Sequence, residues 1–325
     1  MLIPEYWAEA SAKTRLGKKQ ITVRRFGWSE QSQEDAQHNA EIRSQEALER
    51  VVAGEKLERR EPKVSYNGAF GVPIREEVLS RHKDVVITRN LYGARCLNTP
   101  NVLFADIDFL ESSKPSSFYL SVLIALIAGF VIAKFYTGFG LAFSIALATG
   151  VFSYTLAAWL WSQKLKAGPS TEENAMKGVD AFLEKHPNWH VRIYRTPAGL
   201  RVLAMHKTFG PDEPEVATLF KEIQADKVYV QMCSNQKCFR ARISPKPWRI
   251  GIESHLKPRP GVWPINPKRM PDRIRWVNEY ERKAEAYAAC RFLVAKGNGQ
   301  VDPSVDEVRQ LHDDLCRANS ELPLA

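Results

Sequence analysis

Along most of the chain, hydrophobic and polar positions alternate in short runs. From Phe118 to Trp161 the chain turns apolar, with Lys134 its single charge, and then reverts to short runs. Ile21–Trp28 (ITVRRFGW) reads as a strand ending in Ser29, which can cap a helix from about Gln31 to Val52. The buried stripe of that helix is expected at Ala36, Ala40, Ala47 and Val51, with Ser44 in the gap and Leu48 flanking it; Ile42 falls on the opposite side. Beyond the charged linker Gly54–Pro62 the pattern predicts a strand at Val64–Tyr66, a loop with Gly68, Gly71 and Pro73, and a short helix at Ile74–Arg81. Strands follow at Val85–Thr88, Arg95–Leu97 and Asn101–Phe109.

After the apolar stretch, Ala167–Thr171 is a linker, with Ser170 or Thr171 capping a helix through Lys185. His190–Thr196 and Leu200–His206 read as a hairpin turning at Pro197-Ala198-Gly199, with the glycine placed where positive φ is wanted. Glu213–Gln224 reads as a helix, and Lys227–Met232 with Phe239–Ile243 as a second strand pair. A Pro-rich basic stretch, Pro245–Pro271, leads to an amphipathic helix from Arg273 to about Lys296 and a last helix at about Ser304–Ala318.

Phe118–Thr137 and Phe139–Trp161 each have about the twenty residues that a helix needs to cross a hydrocarbon layer of ~30 Å. Gly138 and Gly140 lie where the chain must reverse, so a transmembrane two-helix hairpin is expected. Lys114 precedes it, Lys164 and Lys166 follow it, and the turn carries no Lys or Arg. The positive-inside bias puts both flanks, and with them both termini, in the cytoplasm, with Lys134 snorkelling to the far headgroups. Phe118, Tyr119, Phe135, Tyr136, Trp159 and Trp161 form the interfacial belt. The first fifteen residues lack the apolar core of a signal peptide.

The fold class expected is α+β, a small and mostly antiparallel sheet with helices, interrupted by the hairpin. The segments are an N-terminal strand and polar helix (1–62), the first half of an α+β domain (63–117), the hairpin (118–161), the second half (162–250), and a basic Pro-rich segment with C-terminal helices (251–325).

Composition adds little to the elements but narrows the chemistry. The chain has 325 residues and a net charge of +9, which fits anionic lipid, positive-inside topology or nucleic acid. Five cysteines (Cys96, Cys233, Cys238, Cys290, Cys316) are scattered and read as reduced thiols. Cys233 and Cys238 bracket a turn at zinc-like spacing, but no second pair of cysteines follows, so neither zinc nor haem is expected. The basic, aromatic-interleaved run Phe239–Arg249, with Lys257, Arg259, Lys268 and Arg269, can track a phosphate backbone with Trp248 and Trp263 as stacking platforms, or lie on the inner leaflet. The bilayer already implied favours lipid. P-loop, dinucleotide, metalloprotease and serine-hydrolase motifs are absent from the sequence.

Candidate chemistry sits at Asp106-Ile107-Asp108. Alternation along a strand puts both carboxylates on one face, about 7 Å apart, where Mg²⁺ or Mn²⁺ can be held against a triphosphate. The same pair can cap a turn or pair with a nearby Arg or Lys. Arg195, Arg201 and the backbone near Gly199 are candidates for binding an anion, and His206 for touching a phosphate. Arg201 and His206 are five residues apart, so a regular strand turns them to opposite faces.

The D-x-D strand, the YRT-PAG-LR hairpin and the downstream His206 resemble the catalytic core of archaeo-eukaryotic primases and primase-polymerases. That resemblance implies metal at Asp106 and Asp108 and nucleotide phosphate at His206. Met205 and Ala204 before the histidine depart from the family pattern. As a whole the chain resembles a family of bacterial two-span membrane proteins sharing stretches like GVPIREEV, TRNLYGARCLNTP, FADIDF, YRTPAGLR and CFRARISPKPWR. This implies a topology, in the bacterial inner membrane, rather than an activity. The role expected is binding or scaffolding at the bilayer, with nucleotide or nucleic acid and a second copy of the chain as further candidate partners. The alternative is a membrane-tethered nucleotidyl-transfer enzyme.

Overall fold

The strand expected at Ile21–Trp28 is one arm of a long antiparallel hairpin in the computed structural model, which describes residues 1–17, 19–59, 73–109, 116–136, 138–167, 171–259, 261 and 263–325. β1 (Tyr6–Leu16) pairs with β2 (Lys19–Ser29), Trp7 opposite Trp28 and Ala12 opposite Val23. Ser29 still belongs to β2, so the helix α1 (Gln33–Val52) is capped by Ser32, whose Oγ accepts the Asp35 N–H at 3.0 Å. Its buried face is Ala36, Ala40, Ser44, Ala47 and Leu48, and Ile42 is exposed. The small residues have a purpose. A Cβ on Gly27 would lie 2.1 Å from the Ala40 nitrogen and 2.3 Å from the Ala36 oxygen, so backbone lies directly on backbone there.

Two four-stranded sheets, each antiparallel throughout, draw strands from both sides of the apolar stretch. One has the order β10 (Arg291–Gly297), β7 (His190–Thr196), β8 (Gly199–Ala204), β6 (Phe104–Asp108). The other runs β3 (Glu77–His82), β4 (Val85–Arg89), β5 (Arg95–Thr99), β9 (Phe239–Arg242). Helices α4 (Thr171–Lys185), α5 (Pro214–Glu222), α6 (Lys227–Gln236), α7 (Met270–Ala284) and α8 (Pro303–Cys316) complete the order. Met1–Asp108 and Gly178–Ala325 form one unit; Phe109–Lys177 form a second.

Three expected elements change type, two of them because a distant partner overrides local propensity. The helix expected at Ile74–Arg81 is instead the strand β3. There Glu77 pairs with Arg273 at 2.6 Å, and the adjoining Glu76 pairs with the buried Arg240. The strand expected at Lys227–Met232 is the helix α6. Asp226 caps it by accepting the N–H groups of Val228 and Tyr229, and Tyr229, Met232, Cys233 and Gln236 repeat at helical spacing on its buried side. β9 therefore pairs with β5. The helix expected from Arg273 to Lys296 ends at Ala284, and its second half is the strand β10 on β7. No Gly or Pro marks that end. Arg317, itself at a left-handed C-cap, donates Nη1 to the carbonyls of Ala284 and Tyr287 and closes α7 from 33 and 30 residues away.

The second unit is α2 (Ser116–Tyr136) packed against α3 (Phe139–Ala167). A Cβ on Gly150 would lie 2.3 Å from Leu126 Cδ2, so the glycine sets how closely the two helices approach. The hydroxyls of Ser144, Thr149, Ser153 and Thr155 donate to carbonyls of their own helix, leaving its surface apolar. Among the described residues one helix is long and apolar enough to cross a membrane: α3 through Phe143–Leu160, with mean hydropathy 1.5 and 6% of the stretch buried. α2 contributes the shorter apolar run Val122–Ile132. The strand expected at Val64–Tyr66, the loop at Gly68 and Gly71, Lys114, and the side chains of Phe118, Tyr136 and Trp161 lie outside the described residues.

Candidate functional site

β6 ends at Asp108, where the chain leaves the first unit. In its register with β8, Asp106 lies opposite Arg201 and Asp108 opposite Gly199, while the intervening Ile107 is buried. Gly199 does not take a positive φ, contrary to the sequence expectation. It is needed for proximity, because a Cβ there would sit 1.9 Å from the Ile107 carbonyl oxygen.

Arg201 holds Asp106 in a bidentate pair, Nε to Oδ1 at 2.8 Å and Nη2 to Oδ2 at 3.2 Å. Its Nη1 donates to the Arg242 carbonyl at 2.9 Å and lies 3.3 Å from His312 Nε2. The side chain is 2% exposed. Burial opposes its charge, but the Asp106 carboxylate outweighs burial and holds the guanidinium protonated. Arg201 is thereby engaged inside the protein.

Asp108 stays exposed. Partial burial and then the charges of Asp226 and Asp106 raise its pKa, while Lys246 and Arg242 oppose them. The Asp226 carboxylate is engaged as the cap of α6. Among the described residues the one group of three or more donors close enough for a metal ion lies elsewhere.

The other candidates do not join Asp106. His206 follows the far end of β8, five residues and roughly 16 Å of strand from Arg201. Its ring packs on Trp189 (4.7 Å) and Phe209 (5.4 Å), its Nδ1 accepts the His190 N–H at 3.4 Å, and burial lowers its pKa. Arg195 lies opposite Leu200, on the face away from Arg201, and folds onto its own turn by donating to the Gly199 carbonyl at 3.1 Å.

Facing Asp108 is a group of cations. Arg242 ends β9, and Lys246, Trp248 and Arg249 follow on a loop and a 3₁₀ turn (Pro247–Ile250). Tyr92, from the turn between β4 and β5, meets the Trp248 ring edge-on at 5.3 Å and is hydrogen-bonded to Arg242. Lys246 Nζ lies 5.4 Å from the Trp248 ring, which is 56% exposed. Arg242 Nε and Arg249 Nη1 are buried without a hydrogen-bond partner among the described residues. Burial, followed by Arg242 and Arg249, lowers the Lys246 pKa; burial, followed by Arg242, lowers that of Arg249. Cations so crowded, with N–H groups unspent, can bind an anion bearing several oxygens, and Trp248 offers a ring beside it. Of the basic run singled out in the sequence, Phe239 and Arg240 are core, and Trp263 packs with Trp7 and Phe26 rather than with Trp248.

Behind Arg201 lies a group the sequence reading missed. Cys290, His312 and Cys316 are buried, and their Sγ and ring-nitrogen atoms lie within 4.8 Å of one another. The available signal was His312 and Cys316 four residues apart on an amphipathic helix. Cys233 and Cys238 do not bracket a hairpin turn. Cys233 is in α6, Cys238 follows the left-handed C-cap Lys237, and burial pushes the Cys238 thiol up to about 12. No protein family, curated protein or solved structure matches the chain, so its chemistry is read from its own residues.

Proposed function

We propose that the chain is an integral protein of the bacterial inner membrane, anchored by α2 and α3 as a two-span hairpin, whose α+β unit binds a phosphate-bearing anion at Arg242, Lys246 and Arg249 on the cytoplasmic side. One observation carries the binding role: Arg242 Nε and Arg249 Nη1 are out of water and, among the described residues, unpaired, beside an exposed tryptophan and near Asp108, the last residue of the first stretch of the unit. The exposed apolar face of α3 supports the anchor, with Leu147, Val151 and Phe152 all more than half exposed. A lipid headgroup fits both features. The second reading, nucleotidyl transfer with Mg²⁺ or Mn²⁺, is favoured by the convergence of Asp108 on Asp106 and Asp226, a crowding that a divalent cation relieves.

The test is a titration of the detergent-solubilised full chain with a short-chain phosphatidylglycerol and with a nucleoside triphosphate, each with and without Mg²⁺. Lys246→Ala/Arg249→Ala is expected to weaken phosphatidylglycerol binding at least tenfold, independent of Mg²⁺. Mg²⁺-dependent triphosphate binding that Asp108→Asn abolishes would transfer the site to the second reading. Labelling of Gly138→Cys by an impermeant maleimide from outside the cell, with Asn319→Cys protected, is expected for the hairpin topology.

A further inference from the structure

Cys290 ends the segment between α7 and β10, while His312 and Cys316 are one turn apart on the buried side of α8. His312 Nε2 lies 3.9 Å from Cys290 Sγ, and all three donor atoms fall within 4.8 Å of one another. Donors around a zinc ion bound at about 2.0–2.3 Å stand roughly 3.5–3.8 Å apart, so a contraction of about an ångström closes the set.

The surroundings orient the donors. His312 Nδ1 is 3.1 Å from the Asp313 carboxylate, which is 2% exposed and held in turn by Arg192 at 2.9 Å. That bond places the ring proton on Nδ1 and turns the Nε2 lone pair toward the cysteines, the arrangement a metal-binding histidine takes when a carboxylate supports its other nitrogen. The rings of Phe104 (5.1 Å) and Tyr194 (4.9 Å) hold the imidazole from β6 and β7. Charge balances as well. A divalent ion with two thiolates adds no net charge, and Arg201, beside them, is neutralised by Asp106. The Arg201 Nη1 that reaches His312 Nε2 at 3.3 Å can turn to a metal-bound sulfur while keeping the Arg242 carbonyl. That carbonyl oxygen is 3.9 Å from Cys316 Sγ, within reach of the fourth position.

We propose that Cys290, His312 and Cys316 form a structural zinc(II) site that fastens α8 and the chain entering β10 to the sheet, against the sequence expectation of no zinc. Two thiolates and an imidazole select a borderline-soft ion over magnesium or calcium. Binding forms two Zn–S bonds and one Zn–N bond and releases the two thiol protons, with no change of oxidation state.

The test uses the detergent-solubilised full chain, reduced and stripped by chelator, then titrated with Co²⁺ and with Zn²⁺. One equivalent of Co²⁺ is expected to give thiolate-to-cobalt charge-transfer absorption, displaced by Zn²⁺ and lost in Cys290→Ser and Cys316→Ser. Asp313→Asn is expected to weaken Zn²⁺ about 10–100-fold, as loss of a supporting carboxylate does. Because those variants can fail to fold, the unmutated chain is also melted with and without Zn²⁺, and a rise in Tm that chelator reverses is expected. Absence of both the absorption and the Tm rise in the unmutated chain overturns the site. So does an absorption band that survives either cysteine substitution, or a Cys290–Cys316 disulfide in the freshly isolated protein.

Discussion

Arg201 is 2% exposed and locks Asp106 with two hydrogen bonds, whereas Arg249, half-buried, leaves Nη1 with no partner among the described residues and crowds against Arg242 and Lys246. Arg240, two residues before Arg242 on β9, resembles Arg201: it is 2% exposed and paired with Glu76. Two positions on one short strand thus differ in whether a carboxylate balances them. A guanidinium withdrawn from water needs counter-charge or oxygen acceptors. Where the protein supplies them, the arginine is part of the core. Where none is found among the described residues, the N–H groups can still take an acceptor from outside.

The largest effect is expected from breaking the paired side. Asp106→Ala leaves the Arg201 charge buried without its carboxylate and should destabilise the protein by about 3 kcal/mol, read as a drop in denaturant midpoint at unchanged slope. A fall below about 1 kcal/mol would mean that Arg201 finds enough in the Arg242 carbonyl and water. On the unpaired side Lys246→Ala should change stability by less than about 0.5 kcal/mol in the same measurement, because its contact with the exposed Trp248 ring and its pull on Asp108 are offset by relief of its crowding against Arg242 and Arg249. A large loss there would make the cation cluster structural.

The smallest effect concerns Asp108. Its folded-state pKa is raised, so the folded protein binds that proton more tightly than the unfolded chain does. Stability from this group is fully present below about pH 3.9, the ordinary aspartate value, and falls as pH rises toward the folded-state pKa. Asp108→Asn removes that loss. The variant should match the parent at the acid end and melt slightly higher at neutral pH, as a pair of Tm-against-pH curves would show. Curves diverging in the opposite sense would mean that Lys246 and Arg242 dominate Asp108 rather than its acidic neighbours.

Much of the fold was legible locally. The alanine stripe of α1, the β7–β8 hairpin and the strand carrying Asp106 follow from periodicity, because burial on one face imposes a period of 3.6 or 2 on the residues. β1 was missed: Ala8, Glu9, Ala10, Ser11, Ala12 and Lys13 hold no large apolar side chain, since the strand meets a small-residue helix. At the site, both acids were found but their partners were not. Asp106 and Arg201 are 95 residues apart in the chain, and nothing near either one names the other.

The sequence by itself determined the elements of strong period, the apolar stretch of α3 and the residues able to carry charge, because these depend on side-chain transfer energies and short-range spacing. Only the tertiary structure decided three further matters: that Glu77–His82 is a strand, that Lys227–Gln236 is a helix, and that α7 stops at Ala284. It also decided which arginines are held in buried ion pairs, and it gathered Cys290 to His312 and Cys316. For the strand β3, the end of α7 and the cysteine–histidine group the reason is common: each depends on partners from a distant part of the chain, and such contacts exist only once folding has brought the parts together.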